Sequence, residues 1–572
     1  MLERLKKFFA SVGTRGGEIL RDDGFFFGTL LILNTPISFA ELLGDNAAMA
    51  VTNFWLGALA IFFVTVAINF LLRALPRVKR FIQGVAIILF AVHFVADIFL
   101  LYKFGVVLNM DMLQVLLGTD PLTAQTFLRE QVLNVKIIFG VLAGICLTAA
   151  MIFALKKFFA TRTPERLKGF VAELAIIFFL PMIISWQIIF EKPTTLAKAI
   201  FVKTTIGLSV RDIDELVETA PIGDESKIFA EMDRQLASEK ILADRSDIPF
   251  VVFVLGESTD RNHMQLYGYR LPTTPRLSER FARGEIFRFD DTIACANNTS
   301  PAMARIFTFA EKDEPLNDWY FKANIFDIVK RTGYRTVWLS NQSPLGLWGN
   351  FDKYFSARCD EKFFVEAQDE LARQRQIDGV LLPVLDEFLA ATNAEKNFFV
   401  VHLYGTHGMY NERYPVEFEK FSAADEDKPE ELWRQGTAKY DNAVLYNDFV
   451  VDEIIRRFED KNAVLIYISD HGEEVYDGRD FAWHSLENVG NVHMIEIPAL
   501  VWASKKFRER YPEKISALAS AVECPYRTDF LIHALLDLMD IRTTSFDATK
   551  SVINEKFEPR PRIYNGAPYV KK

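Results

Sequence analysis

Cysteine is too scarce to organise this chain. Four stand among 572 residues, at positions 146, 295, 359 and 524. They have neither the paired spacing of a cysteine-ligated metal site nor the density of a disulfide scaffold. Cys146 lies inside an apolar run, so the polar remainder has material for one bridge at most. Positive charge is also in deficit: 65 Lys and Arg face 75 Asp and Glu, a net charge of −10. With no basic stripe carrying interleaved aromatics, a nucleic-acid partner is excluded. What the chain has in abundance is phenylalanine, 51 residues, and hydrophobic residues at 50%. These are unevenly spread. Residues 24–190 are dominated by long apolar runs, whereas 205–572 read as mixed globular sequence, and the length allows two or more domains.

Five apolar runs, at 24–43, 51–72, 81–102, 135–155 and 169–190, reach the roughly 20 residues a membrane-spanning helix needs. The first has the basic start of a signal peptide, but four more spans come after it, so it reads as a retained anchor. Basic residues then set the orientation. They occupy the N-terminal segment (Arg4, Lys6, Lys7, Arg15, Arg21), the 73–80 loop (Arg73, Arg77, Lys79, Arg80) and the 156–168 loop (Lys156, Lys157, Arg162, Arg166, Lys168). Residues 44–50 have none and 105–134 only Arg129. This alternation predicts a transmembrane domain over 1–190, a cytoplasmic N-terminus, and everything after residue 190 on the opposite face. His93 and Asp97 sit i,i+4 in the third span and read first as a hydrogen-bonded pair that locks helix packing. The 105–134 loop has helical apolar spacing at Met112, Val115, Leu116 and Leu117 and is expected to lie along the membrane surface.

Residues 191–248 are charged and helical in pattern, a bridge to a third segment, 249–572. There, strand-like runs (249–255, 334–340, 397–404 and 463–469) alternate with helical stretches. Continuous apolar strands between helices predict an α/β domain with a largely parallel sheet covered on both faces. Ligands of such sheets bind beyond the carboxyl ends of the strands. Polar residues stand at those ends here: GESTD with Glu257, SNQS with Asn341, GTHG with His407, and DHGEE with Asp470 and His471. Each alone reads as an ordinary turn. Together, two carboxylates and a histidine suit a divalent transition metal, zinc first, with a hydroxyl as a fourth ligand. Such a metal would lower the pKa of a Ser or Thr hydroxyl and make it a usable nucleophile.

The motifs VLGESTDRNHMQLYGYRLPTTP, TSPAMARIFTFA, HLYGTHGMYNERYP and ISDHGEEVYD, in that order, resemble those of the bacterial phosphoethanolamine transferases. The resemblance runs over essentially the whole chain. It implies a five-helix membrane domain followed by a periplasmic domain of the alkaline phosphatase/sulfatase type. The GESTxRxxMxLYGY form looks closest to members acting on lipopolysaccharide core or periplasmic glucans. Carried over residue by residue, the resemblance makes Glu257, Asp470 and His471 zinc ligands and Thr299 both fourth ligand and nucleophile. It makes His407 a phosphate-binding histidine that serves the leaving group. A second such histidine should come after DHG; His484 has the nearer spacing and is preferred over His493, while Asn341 is a weaker pocket-lining candidate. His402, inside a buried strand, and His263 are read as structural.

Three nucleophiles compete in CANNTSPAMARIFT, residues 295–308. Related sulfatases need Cys-x-Pro-x-Arg. Cys295 has Asn297 where proline belongs, whereas Thr299 has Pro301 at the right place but Met303 in place of the arginine. Ser300 is adjacent and off register, and the residues after Thr299, as far as FTFA, match the family's spacing from its threonine, so the resemblance implies Thr299. Two departures concern the acceptor. Lipid A members flank a membrane-loop threonine with Asn and Glu, and here only Thr119 matches, with Val115 and Thr123 beside it; three periplasmic cysteines also cannot form that subgroup's several disulfides. The expectation is a monomeric, zinc-dependent transferase of the bacterial inner membrane with its catalytic domain in the periplasm. It would move the head group of phosphatidylethanolamine, through Thr299, to lipopolysaccharide (core or lipid A) or a periplasmic glycan, releasing diacylglycerol. The alternative is a phosphoglycerol transferase or phosphodiesterase using the same metal site.

Overall fold

The computed structural model describes residues 22–43, 47–104, 107–108, 150–151, 153–154, 157, 225–342, 351–365, 377–479, 481–484 and 491–571. The chain divides into two compact units, the second taking in Thr219–Lys572.

In the first unit, three helices are long and apolar enough to cross a membrane: α1 (Asp22–Ala40), α2 (Ala47–Leu72) and α3 (Pro76–Phe104). They coincide with the first three expected spans. The expected count of five is therefore not reached among the described residues, because the runs at 135–155 and 169–190 lie almost wholly outside them, as does Thr119. Two buried carboxylates described in this unit are paired, as an apolar setting favours. Asp23 is buried and takes Lys79 Nζ at 2.7 Å, Gln83 Nε2 at 2.9 Å and the Asn69 amide. His93 Nδ1 lies 3.2 Å from Asp97 Oδ2, and Asp97 Oδ1 accepts the Leu108 amide at 2.9 Å.

The second unit is built on a mixed seven-stranded sheet. Its strands are β1 (Phe250–Gly256), β2 (Ile286–Arg288), β3 (Arg335–Ser340), β4 (Glu361–Phe364), β5 (Asn397–His402), β6 (Ala463–Ser469) and β7 (Ala499–Ala503), in the spatial order β2–β7–β6–β1–β5–β3–β4. The five strands from β6 to β4 are mutually parallel; β7 runs antiparallel to both β6 and β2. Strand side chains alternate between faces, and both faces are covered. Val251, Phe253 and Leu255 enter one core, while Val252 and Val254 enter the other. That two-sided burial is why the strands read as continuous apolar runs. Of the expected bridge 191–248, the described part contributes α4 (Glu225–Ser238) and a short strand, Ile241–Asp244, paired with Ile541–Thr543; Ile228 and Met232 enter the first of these cores.

Among the helices that cover this sheet are α5 (Thr299–Ile306) and α6 (Glu431–Arg456). The residue after α5, Phe307, is fully buried in an aromatic nest, with ring centroids 5.4 Å from Phe253, 5.1 Å from Phe326, 5.8 Å from Trp338 and 5.4 Å from Phe355. This nest pins the C-terminal end of α5 to the sheet. Truncating Phe307 to alanine is expected to destabilise the second unit by about 3–5 kcal/mol. Urea unfolding of the purified protein in detergent, monitored by tryptophan fluorescence, measures it.

Candidate metal centre and active site

The sheet register builds the site. Gly256 at the end of β1 is paired with Ser469 at the end of β6, and Leu255 and Ser340 are both paired with His402 at the end of β5. The next residue on β1 is Glu257 and the next on β6 is Asp470, so parallel pairing delivers two carboxylates side by side. Backbone bonds fix the turn: the Asp470 amide donates to Gly256 O at 3.1 Å and the Thr406 amide to Glu257 O at 3.0 Å. Gly405, at φ +57°, is needed here because a Cβ would stand 2.5 Å from Glu257 O.

The side-chain atoms can then be accounted for one at a time. Asp470 Oδ1 accepts the amides of Ser258 (3.2 Å) and His471 (2.7 Å), while Asp470 Oδ2 is buried and accepts no hydrogen bond. Glu257 Oε1 accepts Ser258 Oγ at 2.8 Å and faces His471 Nε2 at 3.1 Å. His471 Nδ1 is 2.7 Å from Gly472 O and must donate to it, so Nε2 presents its lone pair to the carboxylates. All three residues are fully buried. Two carboxylates behind a neutral imidazole leave negative charge in a low-dielectric site, which is costly without a cation.

The charges respond accordingly. Burial and the neighbouring Glu257 push Asp470 well above its ordinary carboxylate pKa. Burial would raise Glu257 too, but with no cation between the carboxylates they favour a second proton on His471, and His471 in that charged form holds Glu257 well below the usual range. The donor set fits zinc. Tetrahedral Zn–N and Zn–O bonds place ligand atoms roughly 3.4 Å apart. The separations here are 3.1 Å (Glu257 to His471), 3.5 Å (Asp470 Oδ2 to His471) and 3.4 Å (Thr299 Oγ to His471). Calcium, with six to eight oxygens, is a poorer match for a set containing an imidazole.

Thr299 is the first residue of α5, and its Oγ donates to Glu257 Oε2 at 3.1 Å. Its two competitors are elsewhere. Ser300 is exposed, and Cys295 is fully buried, its thiol pushed up by burial to about 11. His484 returns to the site because Glu474–Val475 and Ala482–Trp483 pair as a short hairpin; its Nδ1 lies 2.9 Å from Glu473 Oε2 and its ring 4.3 Å from that of His471. His407 is half-buried, with its ring 5.5 Å from His484 and 5.9 Å from Trp483. Burial, aided by the nearby charges of His484 and Arg413, outweighs Glu257 and holds His407 at about 4.

Residues 249–541, just over half of the chain, match the sulfatase family model. The chain belongs to the sulfatase family. Within it, the resemblance read from the motifs is borne out by the relatives. The chain is 34% identical over 337 residues to the phosphoethanolamine transferase EptC of Escherichia coli strain K12, covering 56% of each chain. It is 33% identical over 335 residues to the phosphoethanolamine transferase CptA of Salmonella typhimurium, again 56% of each. The chain thus spans about half the length of the curated relatives it matches. Among solved structures it is similar to the C-terminal periplasmic domain of E. coli EptC, with TM-score 0.52 and 31% identity, over 58% of this chain and 93% of that one. The same domain has been solved in complex with zinc. The integral membrane lipooligosaccharide phosphoethanolamine transferase A of Neisseria meningitidis shares the fold over 92% of this chain and 97% of its own, with TM-score 0.58 at 21% identity.

Within this sulfatase fold, two expected site residues, Asn341 and His493, fall outside the cluster, and a third cannot be placed in it or out of it. Thr119 lies outside the described residues. Asn341, expected to line the pocket, is fully buried and donates to Asp378 at 2.9 Å; Asp378 in turn accepts the Tyr404 and Gly405 amides, so Asn341 braces the 404–405 turn. It is Gln342, one residue on, whose side chain reaches Glu257 Oε2, at 3.1 Å. His493 is engaged elsewhere: its Nδ1 sits 2.6 Å from Asp260 and 3.7 Å from Asp477, in an ion cluster with His263 and Lys428. His263 is buried in it, 2.7 Å from Asp441. Sequence reasoning did not single out Ser258, Gln342, Asp352 or Glu473; Ser258, Gln342 and Glu473 stand inside the strand-end motifs GESTD, SNQS and DHGEE, whereas Asp352 carries no local signal.

Burial works against a charged His493, but Asp260 and Asp477 outweigh it and push its pKa to about 9. The folded-state pKa therefore exceeds the unfolded value of about 6.5. The stabilisation is complete below about pH 6.5 and is lost as pH rises through about 9. The gap in melting temperature between the wild type and His493→Gln is expected to close between about pH 6 and about pH 10, which differential scanning fluorimetry across a pH series would read.

Proposed function

We propose that this protein is a zinc-dependent phosphoethanolamine transferase anchored in the bacterial inner membrane, with its catalytic unit in the periplasm. Phosphatidylethanolamine is the donor, and lipopolysaccharide, on its core or lipid A, or a periplasmic glycan is the acceptor. The observation that carries this reading is the convergence of Thr299 Oγ, Glu257, Asp470 and His471 within hydrogen-bond range at one sheet edge, beside His407 and His484. It is supported by relatives that are phosphoethanolamine transferases, E. coli EptC and Salmonella CptA among them. A lipid donor also gives a reason for three apolar helices in the same chain as a hydrolase-like fold.

When bound at Glu257, Asp470, His471 and Thr299, zinc supplies charge neutralisation at the phosphoryl oxygens and a lowered pKa for the adjoining hydroxyl. The residues do the rest. Thr299 Oγ, aligned by its bond to Glu257, attacks phosphorus; the Oγ–P bond forms and the P–O bond to diacylglycerol breaks. The Thr299 hydroxyl proton passes to solvent, and the departing diacylglycerol oxygen takes one from His407, which drew it from solvent when substrate bound, so the step is proton-neutral overall. At about 4, His407 is neutral by itself at pH 7, and it takes up a proton only when an anionic phosphodiester lies beside it. In the second half the acceptor oxygen attacks phosphorus and gives its proton to His407; the new P–O bond forms as the Oγ–P bond breaks, and Oγ takes a proton from solvent, regenerating the side chain.

Thr299→Ala is expected to lower head-group release by at least about 10³-fold. Thr299→Ser should still form the adduct. Intact mass spectrometry of the protein incubated with phosphatidylethanolamine vesicles and no acceptor should show one phosphoethanolamine on Thr299. An adduct of glycerol phosphate formed only from phosphatidylglycerol, or turnover with water alone, would assign the site to a phosphoglycerol transferase or a phosphodiesterase instead.

A further inference from the structure

Glu257 is held from behind by a chain of three side chains that takes no part in the phosphoryl-transfer chemistry. Gln342 Nε2 lies 3.1 Å from Glu257 Oε2, 3.1 Å from His402 Nε2 and 3.1 Å from Leu403 O. All three neighbours offer lone pairs, so only the amide NH₂ can face them; a flipped amide would set its carbonyl oxygen against three acceptors. The acceptor role of His402 Nε2 is imposed from its other side. Nδ1 is 2.7 Å from Asp352 Oδ1, which also accepts Trp338 Nε1 at 3.0 Å. Nδ1 therefore keeps the proton and Nε2 the lone pair. Asp352 and His402 are 2% and 0% exposed, so no water competes for these bonds.

The order of atoms is thus Asp352 carboxylate, His402 imidazole, Gln342 amide, Glu257 carboxylate, each donor and acceptor fixed by the one before. The sheet sets their spacing. His402 ends β5 and is paired with Ser340, which places Gln342 two residues beyond β3 on the same face. A buried histidine bonded to an aspartate is usually only a packed core pair. This one differs because its free nitrogen orients a group that ends on a proposed metal ligand.

Resting on the proposed zinc site, we infer that Asp352, His402 and Gln342 are positioning residues that fix the Glu257 carboxylate, so that zinc affinity depends on a hydrogen-bonded chain reaching three strands across the sheet. Partners of this kind behind a ligand typically change metal affinity 10–100-fold.

The test is a zinc titration against a chelating competitor on the full-length protein in detergent, with thermal unfolding of the metal-stripped protein in parallel. Gln342→Leu is expected to bind zinc about 10–100-fold more weakly, with the melting temperature of the metal-free protein unchanged. His402→Leu should weaken zinc to a similar extent, whereas His402→Gln, which can still accept from Gln342, should recover most of the affinity. Wild-type affinity in Gln342→Leu overturns the inference, as does an equal loss in His402→Gln and His402→Leu. So does a loss of affinity matched by a loss of metal-free stability in Gln342→Leu, which would make the chain merely structural. If the wild type itself binds no zinc, the metal reading fails and the relay with it.

Discussion

Two carboxylates buried side by side repel unless a cation stands between them, and the pairing of β1 with β6 gives Glu257 and Asp470 no other arrangement. Each is the first residue past a matched strand end, Gly256 opposite Ser469. Neither can swing away. Asp470 Oδ1 is tied by two backbone amides, and Glu257 is held by Ser258, Gln342 and the Thr406 amide on its own carbonyl. Burial and Glu257 push the Asp470 pKa up, while His471 holds Glu257 down against the effect of burial, so the pair shares its protons unequally. A bound divalent cation removes that conflict, so metal binding and the stability of this edge are linked.

This constraint explains which features are visible in the sequence and which are not. The strands are visible because a sheet covered on both faces has no polar alternation to obscure it, and the polar residues at the strand ends mark the binding edge. The strand register is not visible, and one residue of register decides which face a side chain takes. Asn341 and Gln342 illustrate this. Both come directly after β3, but alternation sends Asn341 to Asp378 and Gln342 to Glu257. His402 is legible in the sequence as a buried strand residue. Its function depends on Asp352, 50 residues earlier, and Gln342, 60 residues earlier, a separation over which no local pattern exists. The antiparallel course of β7 is hidden for a similar reason, since an apolar run carries no sign of its direction.

The two histidines after DHG show when spacing is a sound guide. His484 comes at the end of a two-stranded hairpin, and a hairpin returns the chain beside its own start, so nearness in sequence becomes nearness in space. His493 lies past residues 485–490 and is captured by Asp260, a charge no spacing argument would have found. The ion cluster around it holds opposing charges in rough balance: His263, His493 and Lys428 face Asp441, Asp260 and Asp477. That composition disfavours a second cation there, even though Asp260, Asp477 and His493 have the spacing of a ligand set.

The same accounting separates the two ends of the phosphoryl site. With a divalent cation, Glu257 and Asp470 are neutralised, and His407 at about 4 contributes no charge at neutral pH. The pocket is then no longer strongly anionic: the charges left near His407 are Glu473, bonded to His484, and the Arg413 guanidinium. Its remaining bias is the start of α5, where Asn298 makes no side-chain cap, so the first amides of the helix keep their partial positive charge around Thr299. In the proposed reaction an arriving phosphodiester would be drawn to Thr299 and would supply the negative charge that lets His407 take up a proton. The low pKa of His407 then has a use under that reading. It would delay protonation until substrate is in place, keeping the proposed acid and nucleophile from being active before there is phosphorus between them.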